Sequence, residues 1–193
     1  MWNDAGILLS KFDGLELIDG LAVCLWHSIG LQMEEATMKA PNLRQYLDRE
    51  KVSYSVISHP PAFSAQKTAA AAHVPGREVA KCVVVNIDEQ LALAVMPADL
   101  TVDLDHMAEV TGAKRVDLAS ELDFKDRFPD CEAGAMPPFG NLYGMPVFVA
   151  DALAEDEFIA FNAGNHREMI RMRYSDFARL VQPRVLDLAW HHA

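Results

Sequence analysis

The sequence predicts a mixed α/β domain in which short strands alternate with short helices. Strand-like and helix-like segments follow each other along most of the chain, and no internal repeat is present. The strands are short and several are joined by hairpin-like turns, which disfavours a doubly wound parallel sheet. A length of 193 residues, of which 51% are hydrophobic, is enough for one domain with a buried core.

The first three elements have recognisable start and stop signals. A short helix is predicted from Pro41 to Glu50, because proline is well tolerated in a first helical turn. Residues 53–58 alternate in the manner of a half-buried strand. Ser64 is a favourable N-cap residue and can start an alanine-rich helix that runs to about Ala72.

The strongest strand signal follows this helix. Residues 79–87 contain three consecutive valines, as expected for a strand that is covered on both faces. The polar residues 88–90 predict a tight turn, after which residues 91–96 form the second strand of a hairpin.

The second half of the domain is predicted from caps and from its glycines and prolines. A helix is expected from Asp103 to Gly112, and Ser120 with Asp123 resembles a capping box for another short helix. Residues 129–146 carry four prolines and three glycines, which predicts a long structured loop. The remaining predicted elements are strands over 146–150, 158–162 and 169–172, and a helix capped by Ser175 that ends at Val181.

We divide the chain into three parts. Residues 1–37 are leucine-rich, are interrupted by glycines, and are predicted to form a helical extension of unknown role. Residues 38–183 hold the compact domain, and residues 184–193 are predicted to be a C-terminal tail. The most apolar stretch, residues 15–31, is interrupted by an aspartate and a histidine, so no membrane span is predicted. No targeting segment is recognised, and the expected location is the cytoplasm.

Composition and charge exclude several classes of protein. A net charge of −11 disfavours a protein that coats duplex nucleic acid, although it allows one that grips a single exposed nucleotide end. Cys24, Cys82 and Cys131 cannot form a disulfide framework and share no short metal-ligand spacing. A reducing compartment is therefore expected. No metal and no cofactor are predicted. The chain also lacks a nucleophile elbow, a phosphate-binding loop of the Walker type and a dinucleotide fingerprint.

Lys81 is the first candidate site residue, because it interrupts the most apolar strand. A lysine in such a strand either lies at an edge with its ammonium in water or is buried at a site. Burial lowers the pKa of a lysine and makes it chemically useful. The residues alone leave both readings open. The adjacent Cys82 should point to the opposite face of the strand and is more simply a core residue.

The loop from Gly134 to Gly140 is the second candidate. A loop rich in glycine and proline can present backbone N–H groups without obstruction by side chains. Such donors suit a carboxylate, a phosphate or a developing oxyanion. An ordinary rigid loop is the alternative interpretation.

The third candidate is the turn that follows the strand over 158–162. Gly164 permits close approach to the backbone, and His166 is either a general base or a turn residue whose hydrogen bonds are satisfied. A local excess of positive charge follows in Arg167, Arg171, Arg173 and Arg179. These arginines either contact RNA phosphates or form a solvated strand face.

A series of short motifs runs along residues 40–182 in a recognisable order. They are His59-Pro60, Phe63, Val79-Ala80-Lys81, Gly134 with Pro138-Phe139-Gly140, Pro146 to Asp151, Asn162-Ala163-Gly164 and Met169 to Met172. In order and spacing they resemble the YbaK/aminoacyl-tRNA synthetase-associated domain family. The sequence over residues 130–134 and 142–146 is similar to that of the free-standing, YeaK-like members of the family.

This resemblance implies a fold and an activity. The fold is that of the editing domain of prolyl-tRNA synthetases, a central mixed β-sheet or barrel flanked by helices. The activity is trans-editing, the hydrolysis of the ester bond of mischarged aminoacyl-tRNA that carries a small amino acid. Synthetases need such a second site because one methylene changes binding by only about 1–3 kcal/mol.

The resemblance also implies roles for two residues. In the family, the lysine matching Lys81 is essential and helps to hold the aminoacyl ester at the terminal adenosine. The glycine matching Gly134 supplies a backbone N–H to the scissile carbonyl. A ribose hydroxyl of the tRNA assists the attack of water, which explains the lack of a catalytic triad or a zinc cluster in the sequence.

Further site residues are predicted around these two. The substrate-binding residues are predicted to be Tyr54, Phe63, Pro137, Pro138, Phe139, Gly140, Gly164 and His166. The tRNA-binding residues are predicted to be Arg77, Arg167 and Arg171.

The expected partner is the acceptor CCA end of aminoacyl-tRNA, with a synthetase as a further candidate. The alternative function is a non-catalytic adaptor of the same fold that binds tRNA or a synthetase. A small-molecule regulator, with residues 1–37 as a partner-binding helix, is a third hypothesis.

Overall fold

The computed structural model describes residues 42–188, and the structural statements below refer to that range. The predicted helical extension, residues 1–37, lies outside the described residues, as do residues 189–193 of the predicted tail. Six α-helices and eight β-strands are present between residues 42 and 188. The helices are α1 Leu43–Arg49, α2 Ala65–Ala72, α3 Leu104–Thr111, α4 Glu121–Phe124, α5 Asp151–Ala154 and α6 Tyr174–Val181. The strands are β1 Tyr54–Ser58, β2 Ala80–Ile87, β3 Gln90–Pro97, β4 Val116–Leu118, β5 Val147–Ala150, β6 Phe158–Asn162, β7 Glu168–Arg173 and β8 Arg184–Leu186.

The strands form two sheets, which confirms the prediction of a mixed α/β fold. One sheet is antiparallel and has the order β1-β7-β6. The other has the order β4-β2-β3-β5-β8, with antiparallel pairing from β4 to β3 and parallel pairing from β3 to β8. A parallel bridge between Val79 and Ala160 places the start of β2 beside β6 of the other sheet. Residues from both sheets can therefore line one site at this point.

The middle of β2 is covered on both faces, as its valines predict. Val84 belongs to a core cluster that also contains Phe139 and Phe161. Val85 points to the other face and belongs to a second cluster, which contains Met107. The strand that carries Lys81 is therefore anchored from two sides, which gives that side chain a rigid base.

Local signals account for where several helices begin and end. The Ser64 hydroxyl accepts a hydrogen bond from the backbone N–H of Lys67 at 3.4 Å, so the predicted cap of α2 is confirmed. Ser120 and Asp123 form the predicted capping box of α4. The predicted end of α3 is also confirmed, because Gly112 follows it with a φ of +74°, which favours glycine.

Three short elements differ from the prediction. β4 and α5 have no predicted counterpart, because three or four residues carry too little periodicity to be recognised. The helix α6 begins at Tyr174, with Arg173 in the N-cap position and no side-chain cap. The prediction that Ser175 caps this helix is therefore wrong, since Ser175 already lies in its first turn.

The end of the domain also differs from the prediction. β8 lies within residues 184–193, which the sequence predicts to be a tail, and it pairs in parallel with β5. Leu188, which follows β8, is fully buried. Residues 184–188 are therefore part of the domain. A three-residue strand whose partner lies far earlier in the chain leaves no local signal.

Candidate active site

Lys81 and Gly134 line the same small cleft, at the start of β2. Its volume is about 60 Å³. The cleft is walled by the segment that leads into α2, by the start of β2, by the loop around Gly134 and by the turn after β6. The lining residues are Ala62, Phe63, Ser64, Ala65, Thr68, Val79, Ala80, Lys81, Cys82, Gly134, Met136, Asn162 and His166. Two segments that are far apart in the sequence therefore meet where the resemblance requires them to meet.

Lys81 is half-buried, and its ammonium donates a hydrogen bond to the backbone carbonyl of Leu100. Burial lowers the pKa of the Lys81 amine, and the nearby Asp99 carboxylate opposes this shift. A lysine that reached freely into water would lack such a partner and such a shift. The amine is therefore held at the wall of the cleft, and an ammonium has three N–H groups, of which two are left for a substrate.

Gly134 has a φ of +80°, in the left-handed region that favours glycine. It is exposed, and its backbone N–H has no hydrogen-bond acceptor among residues 42–188. A Cβ at this position would lie 3.7 Å from Cε1 of His166. The loop thus brings an unbonded N–H to the wall of the cleft at a residue that has no side chain of its own, and such a donor suits a carbonyl oxygen or an oxyanion.

The Gly134 segment is held in place by Gly164. The N–H of Gly164 donates to the carbonyl of Ala135 at 3.1 Å, and its carbonyl accepts from the N–H of Glu132 at 2.9 Å. Gly164 has a φ of +92°, and a Cβ there would lie 3.4 Å from the Cys131 sulfur. Gly164 supports the loop and does not line this cleft, although it does line a separate pocket beside Pro137.

His166 is buried and joins two walls of the cleft. Its Nδ1 lies 3.1 Å from the carbonyl oxygen of Ala62, and its Nε2 lies 2.9 Å from that of Ala133. Its backbone N–H donates to the Glu132 carboxylate at 3.0 Å. Because both ring nitrogens already contact carbonyl oxygens, neither is free to take a proton from water. This geometry favours the interpretation of His166 as a turn residue with satisfied hydrogen bonds over its interpretation as a general base.

Phe63 lies at the mouth of the cleft and is 77% exposed. The centroid of its ring is 4.8 Å from that of the His166 imidazole, with a tilt of 53°. One side of the ring therefore rests on a buried and hydrogen-bonded histidine, while most of the ring contacts solvent.

The rest of the predicted substrate-binding loop packs inside the domain. Pro137 and Pro138 are buried, and Phe139 is fully buried between the rings of Tyr46, Phe161 and Phe177. Pro137, Pro138 and Phe139 do not line the cleft. Pro137 lines a separate pocket together with Gly164, whereas contact between a substrate and the Phe139 ring would require the core to open.

Gly140 and Tyr54 also lie outside the cleft. A Cβ on Gly140 would come within 2.7 Å of the Met145 carbonyl oxygen and of a Val147 methyl, so close packing excludes a side chain there. The Tyr54 hydroxyl donates to the Asp48 carboxylate at 3.0 Å. In the structure both predicted substrate-binding residues make these intramolecular contacts.

The predicted tRNA-binding arginines differ in how far they are already paired. Arg77 lies 3.6 Å from the Asp156 carboxylate, and Arg171 lies 3.3 Å from that of Glu78. Arg167 is exposed, and its guanidinium has no ion-pair partner between residues 42 and 188. Arg167 is therefore the most available of the three for a phosphate.

Asn162 is a lining residue that the sequence argument quoted only as part of a motif. It ends β6, and its Oδ1 is buried without a hydrogen-bond partner in the described part of the chain. Buried polar atoms are nearly always hydrogen-bonded in folded proteins, so an exception in a cleft suggests a ligand. A hydrophilic residue at the end of an apolar strand is the sequence signal that points to it.

The thiols of Cys82 and Cys131, the two cysteines between residues 42 and 188, are not activated. Burial raises the pKa of the Cys82 thiol, which lines the cleft, and burial also raises that of Cys131. The Cys131 sulfur lies 3.6 Å from the Tyr143 hydroxyl. Both thiols stay protonated near neutral pH, and a thiol is a much weaker nucleophile than a thiolate.

Residues 42–188 contain neither a metal-binding cluster nor a membrane-spanning helix. No group of three histidine, cysteine, aspartate or glutamate side chains is arranged to hold a metal ion. No helix in this range is both long enough and apolar enough to cross a lipid bilayer.

The geometry can be compared with that of known proteins. The model of the aminoacyl-tRNA editing domain family matches residues 59–180. A curated relative, the multifunctional Ser/Thr-tRNA deacylase ProXp-y of Escherichia coli K12, is 28% identical over 165 residues, which are 81% of this chain and 96% of the relative. The protein of the same name from Escherichia coli O157:H7 matches equally well.

Solved structures share the fold. A candidate trans-editing enzyme for prolyl-tRNA synthetase matches with a TM-score of 0.69 at 18% identity, over 79% of this chain and 97% of that chain. The hypothetical protein APE2540 also has a TM-score of 0.69, at 16% identity, over 77% of this chain and 99% of that one. The fold and the resemblance that the sequence predicted are confirmed. Since its family model covers more than half of the sequence, the chain belongs to the aminoacyl-tRNA editing domain family.

Proposed function

We propose that this chain hydrolyses the ester bond of aminoacyl-tRNA that carries a small amino acid, as a trans-editing deacylase. Editing by this family is a deacylation, and membership of the family makes the chain a hydrolase of that class. The observation that carries the finer proposal is the shared cleft of Lys81 and Gly134. It supplies one cationic donor and one unbonded backbone donor around a space the size of a small acyl group.

The two donors suit the charge that develops during ester hydrolysis. The Gly134 N–H donates to the carbonyl oxygen as it becomes an oxyanion, and the Lys81 ammonium holds the ester end of the tRNA. The oxygen of a water molecule bonds to the carbonyl carbon, the ester C–O bond breaks, and a proton passes to the ribose oxygen that leaves. Preorganised donors of this kind typically contribute about 100- to 1000-fold in rate.

The group that accepts a proton from the attacking water belongs to the substrate in this proposal. No carboxylate lines the cleft within residues 42–188. His166 has both ring nitrogens occupied, and the Cys82 thiol is protonated. This lack of a free base supports the role of a ribose hydroxyl of the tRNA that the family resemblance implies.

Small amino acids with a hydroxyl group are the first candidates for the acyl group. A cleft of about 60 Å³ leaves little space for a large side chain. Asn162 offers a buried amide oxygen without a partner in the described chain, which could accept a hydrogen bond from a hydroxyl. The relative from Escherichia coli is named a Ser/Thr-tRNA deacylase. We therefore place seryl- and threonyl-tRNA first in the order of tests.

The test is deacylation of a panel of aminoacyl-tRNAs by the wild type, Lys81→Ala and the control Lys125→Ala. Lys125 is also a lysine but is exposed and does not line the cleft. We expect Lys81→Ala to lose turnover while its melting temperature and that of the control stay near the wild-type value. Equal rates for the wild type and Lys81→Ala would refute the role of Lys81. If the wild type binds tRNA but hydrolyses no member of the panel, the chain is an adaptor.

A further inference from the structure

We propose that Phe63 is a stacking platform for the terminal nucleobase of the tRNA and that Lys67 contacts an adjacent phosphate. This inference rests on the proposed function, because it assigns the place of the nucleotide whose ester lies in the cleft. It changes the role of Phe63 from lining an acyl pocket to holding a base.

The exposure of Phe63 is the first observation. At 77%, it is the most exposed large hydrophobic side chain in the described part of the chain. Burying a phenylalanine is typically favourable, so a phenylalanine left in water at the mouth of a cleft suggests a ligand that covers it. The ring is also held in place from below, since it rests on His166 at 4.8 Å and that imidazole is bonded on both sides.

The second observation is a groove that begins where the cleft ends. Phe63 lines both the cleft and an adjoining groove of about 390 Å³, the walls of which are Pro61, Ala62, Phe63, Ser64, Lys67 and Ala71. The groove also faces the exposed side of α2, which carries Lys67. Lys67 is the charged residue of this lining, and no carboxylate shares the groove with it among the described residues.

The cleft, the Phe63 ring and Lys67 follow the order of the acyl group, the terminal base and the next phosphate along an aminoacylated 3′ end. A cleft of about 60 Å³ is too small for a purine in addition to an acyl group, so the terminal base must lie outside it. Because Phe63 lines both the cleft and the groove, a nucleotide that extends from one into the other passes its ring. Every base has a flat aromatic face, and stacking on a protein side chain is tolerant of sequence. The next phosphate then comes within reach of the Lys67 ammonium.

The test for Phe63 measures binding without catalysis. The probes are a short uncharged single-stranded RNA that ends in CCA and the same RNA with an abasic ribose in place of the terminal adenosine. The proteins are the wild type, Phe63→Ala, Phe63→Trp and the control Leu122→Ala. Leu122 is 75% exposed and lies outside both the cleft and the groove.

We expect Phe63→Ala to bind the CCA probe about 5- to 100-fold more weakly than the wild type does, the range that stacking of one base supports. Phe63→Trp and Leu122→Ala should bind like the wild type. The abasic probe should bind equally to the wild type and Phe63→Ala. The proposal is overturned if Phe63→Ala binds the CCA probe as tightly as the wild type, or if it loses affinity for both probes alike.

The test for Lys67 is the salt dependence of the same binding. Removal of one phosphate contact to a single strand lowers the slope of log affinity against log salt by about 0.7. We expect this change for Lys67→Ala and no change for Lys125→Ala. An unchanged slope for Lys67→Ala would refute the phosphate contact. These measurements use no hydrolysis, so a failure of the deacylase proposal would show in the aminoacyl-tRNA panel and would leave the stacking result to be judged by itself.

Discussion

The two ends of the loop from Gly134 to Gly140 differ in almost every physical respect. At the first end, Gly134 is exposed, has left-handed backbone geometry and offers an unbonded N–H to the cleft. At the second end, Phe139 is fully buried among aromatic rings and Gly140 is packed against backbone. One short motif thus combines a cleft-facing end with a packed end. Neighbouring residues of one motif can therefore have different physical roles.

The packed end holds the cleft-facing end in place. Phe139 contacts the rings of Tyr46, Phe161 and Phe177, which belong to the same core cluster as the β2 residue Val84. The loop and the strand that carries Lys81 are therefore packed onto one core. A donor held in this way needs no rearrangement when charge develops, which is the condition for electrostatic catalysis.

The largest expected effect comes from exchanging the glycine at each end for alanine. Gly134→Ala should reduce the deacylation rate by about 100- to 1000-fold, because alanine disfavours a φ of +80° and the N–H donor would move. Gly140→Ala should instead lower the free energy of unfolding by about 1–3 kcal/mol, because its Cβ would come within 2.7 Å of two core atoms.

The two variants are each other's control. Single-turnover deacylation and urea unfolding should be measured on both proteins. The proposal that the cleft-facing end serves catalysis and the packed end serves stability fails if Gly134→Ala keeps its rate, or if Gly140→Ala unfolds at the wild-type urea concentration.

A smaller effect is expected at Asn162, which also lines the cleft. If its amide oxygen accepts a substrate hydroxyl, Asn162→Ala should reduce the preference for seryl- over alanyl-tRNA by about tenfold, the value of one net hydrogen bond of about 1.4 kcal/mol. Asn86→Ala is a matched control, because Asn86 Oδ1 is also buried without a partner in the described chain but lies outside the cleft. A loss of both rates in equal proportion would show that Asn162 has a structural role only.

The sequence predicts the fold well where patterns are local. The valines of β2, the Ser64 cap and the glycine after α3 each depend on neighbours within a few residues, and each is confirmed. β8 could not be predicted, because a three-residue strand is stabilised by pairing with β5 and not by its own pattern.

The sequence likewise predicts some features of the candidate site and not others. The resemblance predicted that Lys81 and Gly134 would meet, and they line one cleft. Burial could not be predicted for Phe139, because an aromatic residue after prolines suits a ligand pocket as well as a core. The pairing of Arg77 with Asp156 and the open oxygen of Asn162 depend on contacts between distant segments, which one sequence does not reveal.

The smallest expected effect is a pH dependence of stability that comes from Lys81. Burial lowers its pKa in the folded protein from the ordinary value of 10.5, so the unfolded chain binds more protons between the lowered value and 10.5. Stability should therefore rise with pH across that window, because the cost of burying the charge disappears as the amine becomes neutral. Lys81→Met, which has no charge to bury, should lack this part of the rise. Urea unfolding of both proteins at several pH values up to 10.5 measures the difference, and parallel curves would show that the Lys81 amine is as well solvated in the folded state as in the unfolded one.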